Sequence, residues 1–310
     1  MKILVTCPPM LGMIDSFRHI FEEKVIELTA PDVVQTLSVE ELKEIVPQHD
    51  GWIIGDDPAT REVFEAGKAG IFKAAVKWGI GVDNVDFDAC KDLNIPIINT
   101  PDMFGGEVAD IAVGYVIALA RETFEIDRAV RGGEWIKPRG ISLSGKKVAL
   151  VGFGNIGQST AKRLLALDLD IIAYDPFAKN NLSMPEVERE VWPTRIEEAD
   201  FIVVTCALTK SSFHMVNADI FKRVKDGIRV VNVGRGPIIE ETSLEAALKS
   251  GKVHSAALDV FEVEPLPIDS YLRTHNHCIF GSHNASNTAD AVERSSHMAI
   301  DKLFNFLNVK

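Results

Sequence analysis

The chain has 310 residues, 46% of them apolar and 25% charged, and a formal net charge of −12. That length holds two domains and a substantial core, while the acidic balance, with no compensating basic block, argues against nucleic acid as a partner. No apolar run approaches the roughly 18 residues a membrane-spanning helix needs, and Met1–Val5 turns polar too quickly for a signal peptide, so a soluble, cytoplasmic protein is expected.

Short apolar runs alternate with helical patterns nearly throughout, which predicts an α/β fold with parallel sheets. In the first hundred residues the expected strands are Lys2–Thr6, Val25–Leu28, Gly51–Ile54, Ala74–Trp78 and Pro96–Asn99. Ser38 with Glu41 three residues on predicts a capping box that opens a helix before Pro47. Glu107–Arg121 is apolar on nearly every face and predicts a buried helix. A turn-rich stretch follows, before strands expected at Val148–Val151, Ile171–Tyr174, Phe201–Cys206, Arg229–Val233, Ser255–Leu258 and Cys278–Phe280. Ala289–Leu307 closes the pattern as an amphipathic helix. Cys7, Cys90, Cys206 and Cys278 are far apart and without C-x-x-C spacing, so reduced thiols are expected, with neither disulfides nor a zinc site.

The most informative segment runs from Lys147 to Asp175. An apolar strand leads into Gly152-Phe153-Gly154-Asn155-Ile156-Gly157, then a helix, then a second strand ending on Asp175. A lone G-x-G-x-x-G is weak, but strand, glycines, helix and a closing acid about 20 residues on form the context of a dinucleotide site. Gly152 permits the tight turn, Gly154 the close approach of a pyrophosphate, and Gly157 the packing of helix on strand. The helix N-terminus turns unpaired N–H groups toward phosphate. Asp175 would accept from ribose hydroxyls and repel a 2′-phosphate, which favours NAD over NADP.

Three later segments carry polar groups suited to hydride transfer. Asn232-Val233-Gly234-Arg235-Gly236 ends a strand in a glycine-flanked arginine that can grip a carboxylate or carbonyl. Asp259, Glu262 and Glu264 follow an apolar strand, and His283 follows another. A histidine beside a carboxylate makes an oriented general acid/base, so Glu264 and His283 are candidates for that pair. The other histidines are read as ordinary. His275-x-His277 could ligate a metal, but it has no cysteine or glutamate partner at helical spacing, and no metal is expected.

With these motifs in order, the chain resembles the D-isomer-specific 2-hydroxyacid dehydrogenases, most closely their D-3-phosphoglycerate dehydrogenase branch. The likeness runs through Gly79–Asp86, Asn99-Thr100-Pro101, Val130–Trp135, the glycine fingerprint, Ala207-Leu208-Thr209, Asn232–Gly236, Leu258–Pro265 and His283. It implies an α/β fold in which a Rossmann NAD-binding domain (103–285) is inserted in a smaller flavodoxin-like substrate domain (1–102 plus 286–310). It implies catalytic roles for Arg235, which orients substrate, Glu264 and His283. It implies substrate contacts from the loop Lys77, Trp78, Gly79 and Ile80, whose backbone N–H groups hold a carboxylate. Cofactor contacts are implied at Gly152, Gly154, Asn155, Ile156, Gly157, Asp175, Cys206, Val233, Gly234, Asp259 and Ser286, with Asp259 at the nicotinamide end. A homodimer is implied as well.

The chain departs from the family at several points. Lys77 stands where arginine is common, Phe104 where asparagine is, and Ala207 where proline is. Asn284-Ala285-Ser286-Asn287 replaces the usual residues after the histidine. The expected reaction interconverts a D-2-hydroxy acid and its 2-oxo acid with NAD. Branch resemblance points to 3-phosphoglycerate, with Lys77 as the cation for its phosphate. The alternatives are a glyoxylate/hydroxypyruvate-type reductase or a non-catalytic NAD-sensing binding protein.

Overall fold

In the computed structural model, which describes residues 1–177 and 184–309, the apolar runs become two parallel sheets. They lie in two units of the chain: Met1–Met103 with Asn287–Lys310, and Phe104–Ser286.

In the first unit the strands are β1 (Lys2–Val5), β2 (Glu27–Thr29), β3 (Gly51–Ile54), β4 (Ala74–Lys77) and β5 (Ile97–Asn99), ordered β2-β1-β3-β4-β5. This is the flavodoxin-like doubly wound order. Every residue of β3 and β4 is buried, as expected of largely apolar strands covered on both faces, and the burial extends to Lys77 at the end of β4. The helix Ala289–Phe306 packs on β3 and β4. Gly51 lets it approach, because a Cβ there would lie 2.9 Å from the Leu307 side chain. The capping box forms: the Glu41 carboxylate accepts the Ser38 N–H at 2.8 Å, and the Ser38 hydroxyl accepts the Glu41 N–H at 3.3 Å. One strand boundary differs from expectation. Val25 sits at φ +54° and Ile26 donates its N–H to Phe21 C=O. The preceding helix is still closing over Val25, so β2 starts only at Glu27.

The second unit carries β6 (Lys147–Val151), β7 (Asp170–Tyr174), β8 (Glu188–Arg189), β9 (Phe201–Val204), β10 (Ile228–Asn232), β11 (Val253–Leu258) and β12 (Cys278–Phe280). Their order is β12-β11-β10-β9-β6-β7-β8, the Rossmann arrangement extended by one strand, with the order reversing between β6 and β9. Ligands in such sheets sit beyond the carboxyl ends of the strands at that reversal. The helix Gly105–Arg121 packs against the helix Asn155–Leu165, β10 and β11 through Val108, Ala112, Val116 and Leu119. The polar edge strand β8, two residues long, has no apolar run to announce it. All four cysteines are free thiols; Cys7, Cys90 and Cys278 are buried. No described helix is long and apolar enough to cross a membrane.

Candidate active site

The glycine turn lies at the end of β6. Gly152 has φ +96°, and a Cβ on it would lie 2.6 Å from the Cys206 amide nitrogen. A Cβ on Gly157 would lie 2.2 Å from the Gly152 carbonyl oxygen. Both positions therefore require glycine to bring strand, turn and helix together. Gly154 has the opposite surroundings, with no protein atom within 4 Å of where its Cβ would be. It is also the N-cap of the helix Asn155–Leu165 and supplies no side chain to the first turn. Open space, a bare first turn and the helix dipole fit a pyrophosphate. Asn155 and Ile156 open that first turn, and Cys206, after β9, forms its other wall. Burial pushes the Cys206 thiol up to about 12, so it is a neutral wall.

Asp175 follows β7. Its carboxylate accepts the Phe153 N–H at 2.7 Å and the Phe177 N–H at 2.8 Å. These bonds fix its position against the glycine turn and leave lone pairs for ribose hydroxyls. On β8, the Arg189 guanidinium lies 4.7 Å over the Phe153 ring. Asp175→Ala should raise KM for NADH about tenfold and improve use of NADPH. Initial rates with both cofactors check this, and an unchanged NADH to NADPH ratio would remove Asp175 from cofactor choice.

Three loops beyond β10, β11 and β12 bring the candidate trio into one unit. After β10, the buried Asn232 clamps the arginine loop: its Oδ1 accepts the Gly234 N–H at 3.0 Å, and its Nδ2 donates to the Arg235 carbonyl at 2.9 Å. The Arg235 side chain is half-buried and donates to the Gly234 carbonyl at 3.0 Å. A Cβ on Gly236 would lie 1.9 Å from the Phe261 carbonyl, so this loop rests directly on the one after β11. From the sequence, Asn232 carries no role of its own; a carboxamide closing an apolar strand is the signal for such a clamp.

After β11, Glu264 turns back so that Oε1 accepts the Phe261 N–H at 2.9 Å. Its Oε2 lies 2.8 Å from His283 Nδ1. With Nδ1–H donating to the carboxylate, Nε2 is left to give or take a proton. His283 is held at φ +56°, an uncommon conformation for a side chain of this size, and donates its N–H to Asp259 C=O at 2.7 Å. The Asp259 carboxylate in turn accepts the N–H groups of Asn284 at 3.1 Å and Ala285 at 2.9 Å. Asp259 thus braces the histidine loop. Ser286, half-buried, ends the same segment, and Val233 and Gly234 are buried in the arginine loop. Glu262 faces elsewhere, 2.7 Å from His214 Nε2.

In the other unit, the segment after β4 is committed to its own framework. The Lys77 ammonium donates to the Trp78 carbonyl at 2.8 Å and pairs with Asp56 at 3.3 Å; its side chain is 3% exposed. Trp78 gives its backbone N–H to Ile54 C=O at 2.9 Å, and Gly79 gives its own to the Thr100 hydroxyl at 2.7 Å. Gly79 needs glycine, at φ +114°. Of the four residues in this segment, Ile80 is the one whose N–H meets no acceptor among the described residues.

Residues 113–285 match the model of the D-isomer specific 2-hydroxyacid dehydrogenase NAD-binding domain. The chain is 38% identical over 279 residues to a hydroxypyruvate reductase of Thermotoga maritima, an alignment covering 88% of this chain and 90% of that one. It is 33% identical to a D-3-phosphoglycerate dehydrogenase of Archaeoglobus fulgidus, covering 94% of this chain but 54% of that longer protein. Among solved structures, an NAD-dependent formate dehydrogenase of Staphylococcus aureus in complex with NAD superposes with a TM-score of 0.85 at 25% identity, covering 99% of this chain and 96% of that one. The fold and these matches define an NAD-dependent dehydrogenase. The chain belongs to the D-isomer-specific 2-hydroxyacid dehydrogenase family.

Proposed function

We propose that this dehydrogenase interconverts a small, unphosphorylated D-2-hydroxy acid and its 2-oxo acid, of the hydroxypyruvate or glyoxylate kind. NAD, when bound, supplies or accepts the hydride. Arg235 is assigned to the substrate carboxylate and carbonyl oxygen, its backbone held by Asn232. His283 is assigned as the acid/base: in reduction it gives the Nε2 proton to the carbonyl oxygen, and in oxidation it takes the hydroxyl proton back. Glu264 holds the imidazole in that tautomer and stabilises its charged form. The domain roles follow the same assignment, with 104–286 holding the cofactor and the other unit assigned to substrate binding. A homodimer in the cytoplasm belongs to this reading as well, and sedimentation tests the dimer.

The observation that carries the substrate choice is the burial of Lys77. The expectation of 3-phosphoglycerate rested on branch resemblance, with Lys77 as the cation for its phosphate, and this ammonium is engaged by Asp56 and the Trp78 carbonyl. The hydroxypyruvate reductase of Thermotoga maritima, matched over most of its length, supports the same side.

The test follows NADH oxidation with hydroxypyruvate, glyoxylate, pyruvate, 2-oxoglutarate and 3-phosphohydroxypyruvate. The unphosphorylated acids should give the highest kcat/KM; a strong preference for the phosphorylated one would overturn the proposal. Lys77→Met should alter KM for hydroxypyruvate and 3-phosphohydroxypyruvate by the same factor, within about twofold. A selective loss with the phosphorylated acid would restore a phosphate role for Lys77.

A further inference from the structure

At the end of the second unit away from the catalytic loops, three distant stretches of chain converge. Glu122 caps the helix Gly105–Arg121 at φ +55° and is 7% exposed. His254 is the second residue of β11, and His277 immediately precedes β12. Asp259, Glu264 and His283 follow the opposite ends of these same strands, so the two groups are separated by the length of β11. Sequence reading treated His254 and His277 as ordinary and gave the His275-x-His277 pair no acidic partner. The fold supplies that partner from far along the chain.

The spacing is that of ligands around one ion. His254 Nε2 lies 3.6 Å from Glu122 Oε1, and His277 Nδ1 lies 3.5 Å from Glu122 Oε2. Glu125, one turn on, places Oε2 3.0 Å from His277 Nδ1. Two tetrahedral ligands at about 2.0–2.1 Å from zinc stand roughly 3.3 Å apart. One atom from each of Glu122, His254 and His277 falls within 4.8 Å of the others, a spacing that small side-chain rotations can contract.

A second observation points the same way. His277 Nδ1 and Glu125 Oε2 are buried and only 3.0 Å apart, yet neither makes a hydrogen bond. Buried polar atoms are ordinarily paired. These two form a close ion pair and keep hydrogen-bonding capacity that a further ligand could take up. Two cations also face the cluster. Arg229 stands 3.8 Å from Glu122 Oε1 and donates to Leu119 C=O, and Arg128 donates to Asn276 C=O. They offset part of the charge of the two glutamates.

We propose that Glu122, His254 and His277, with Glu125 as fourth ligand, form a structural site for zinc or a similar borderline divalent ion. Two imidazoles and two carboxylates suit zinc and would not hold magnesium, which demands an oxygen octahedron. The ion would tie the end of the long helix to the starts of β11 and β12. It takes no part in hydride transfer.

The test uses the full chain, stripped with chelator and titrated with zinc chloride by calorimetry and thermal melting. One zinc per chain is expected, with Tm raised by about 5 °C at a hundredfold excess over Kd, and no effect from magnesium. Cobalt(II) should give the visible absorption of a four-coordinate site, retained in His283→Gln and lost in His277→Gln. His254→Gln and His277→Gln should turn over as the unmodified enzyme does. Absence of zinc binding would overturn the proposal. So would a cobalt spectrum lost in His283→Gln and kept in His277→Gln, which would place the ion at the catalytic histidine. The spectra of unmodified protein and His283→Gln keep the test decisive even where a ligand variant folds poorly.

Discussion

Replacing His283 with alanine should lower kcat by about 10²- to 10⁴-fold, the usual worth of a positioned proton donor. NADH should still bind, with Kd changed by no more than about threefold, because the pyrophosphate turn at Gly152–Gly157 and Asp175 follow β6 and β7, which β9, β10 and β11 separate from the β12 strand before His283. Glu264→Gln should fall between the two enzymes. A glutamine oxygen can still accept the Nδ1–H bond, which spans 2.8 Å, but it brings no charge to stabilise the imidazolium. Both side chains are only about one-fifth exposed, so each change should also cost some stability and lower Tm. Stopped-flow binding of NADH, steady-state kinetics and a melting curve separate these effects. Turnover like that of the unmodified enzyme in His283→Ala would refute the acid/base assignment, and lost NADH binding would move His283 into the cofactor site.

Much of this fold is legible in the sequence because parallel sheets covered on both faces leave a simple trace. β3, β4, β6, β9 and β10 are nearly continuous apolar runs, and each was expected close to where it lies. β8 left no trace: two polar edge residues look the same in a strand and in a loop. The start of β2 was displaced because Val25, apolar in sequence, is 87% exposed on a left-handed turn. The glycine turn was readable since strand, turn, helix and acid are contiguous. The contacts that decide specificity are not contiguous. Lys77 reads as a cation at the end of a strand, and only the fold brings Asp56 beside it. Glu122, His254 and His277 belong to three segments whose convergence depends on strand order, which spacing alone cannot supply.

The same limit applies to Asp259, which the family likeness places at the nicotinamide end of the cofactor. In the structure its 3%-exposed side chain is the brace of the histidine loop. Both carboxylate oxygens accept backbone N–H groups, from Asn284 and Ala285, while its carbonyl holds His283 N–H. The fit is tight, since a Cβ on Gly281 would lie 1.9 Å from Asp259 Oδ1. Asp259→Ala would leave two N–H groups without their acceptor, which costs about 1–3 kcal/mol for each that stays buried. Tm should fall by roughly 5–10 °C. If Asp259 positions His283, kcat measured well below that Tm should also fall, by about 10- to 100-fold, because misplacing a reacting group by 1 Å costs that much. KM for the 2-oxo acid and Kd for NADH should change far less. Asp259→Asn keeps one acceptor oxygen and should recover part of both losses. A lowered Tm with native kcat would make Asp259 a purely structural brace. Native kcat with a tenfold weaker NADH complex would return it to the cofactor, because a loop held in place by other bonds leaves the carboxylate only that task.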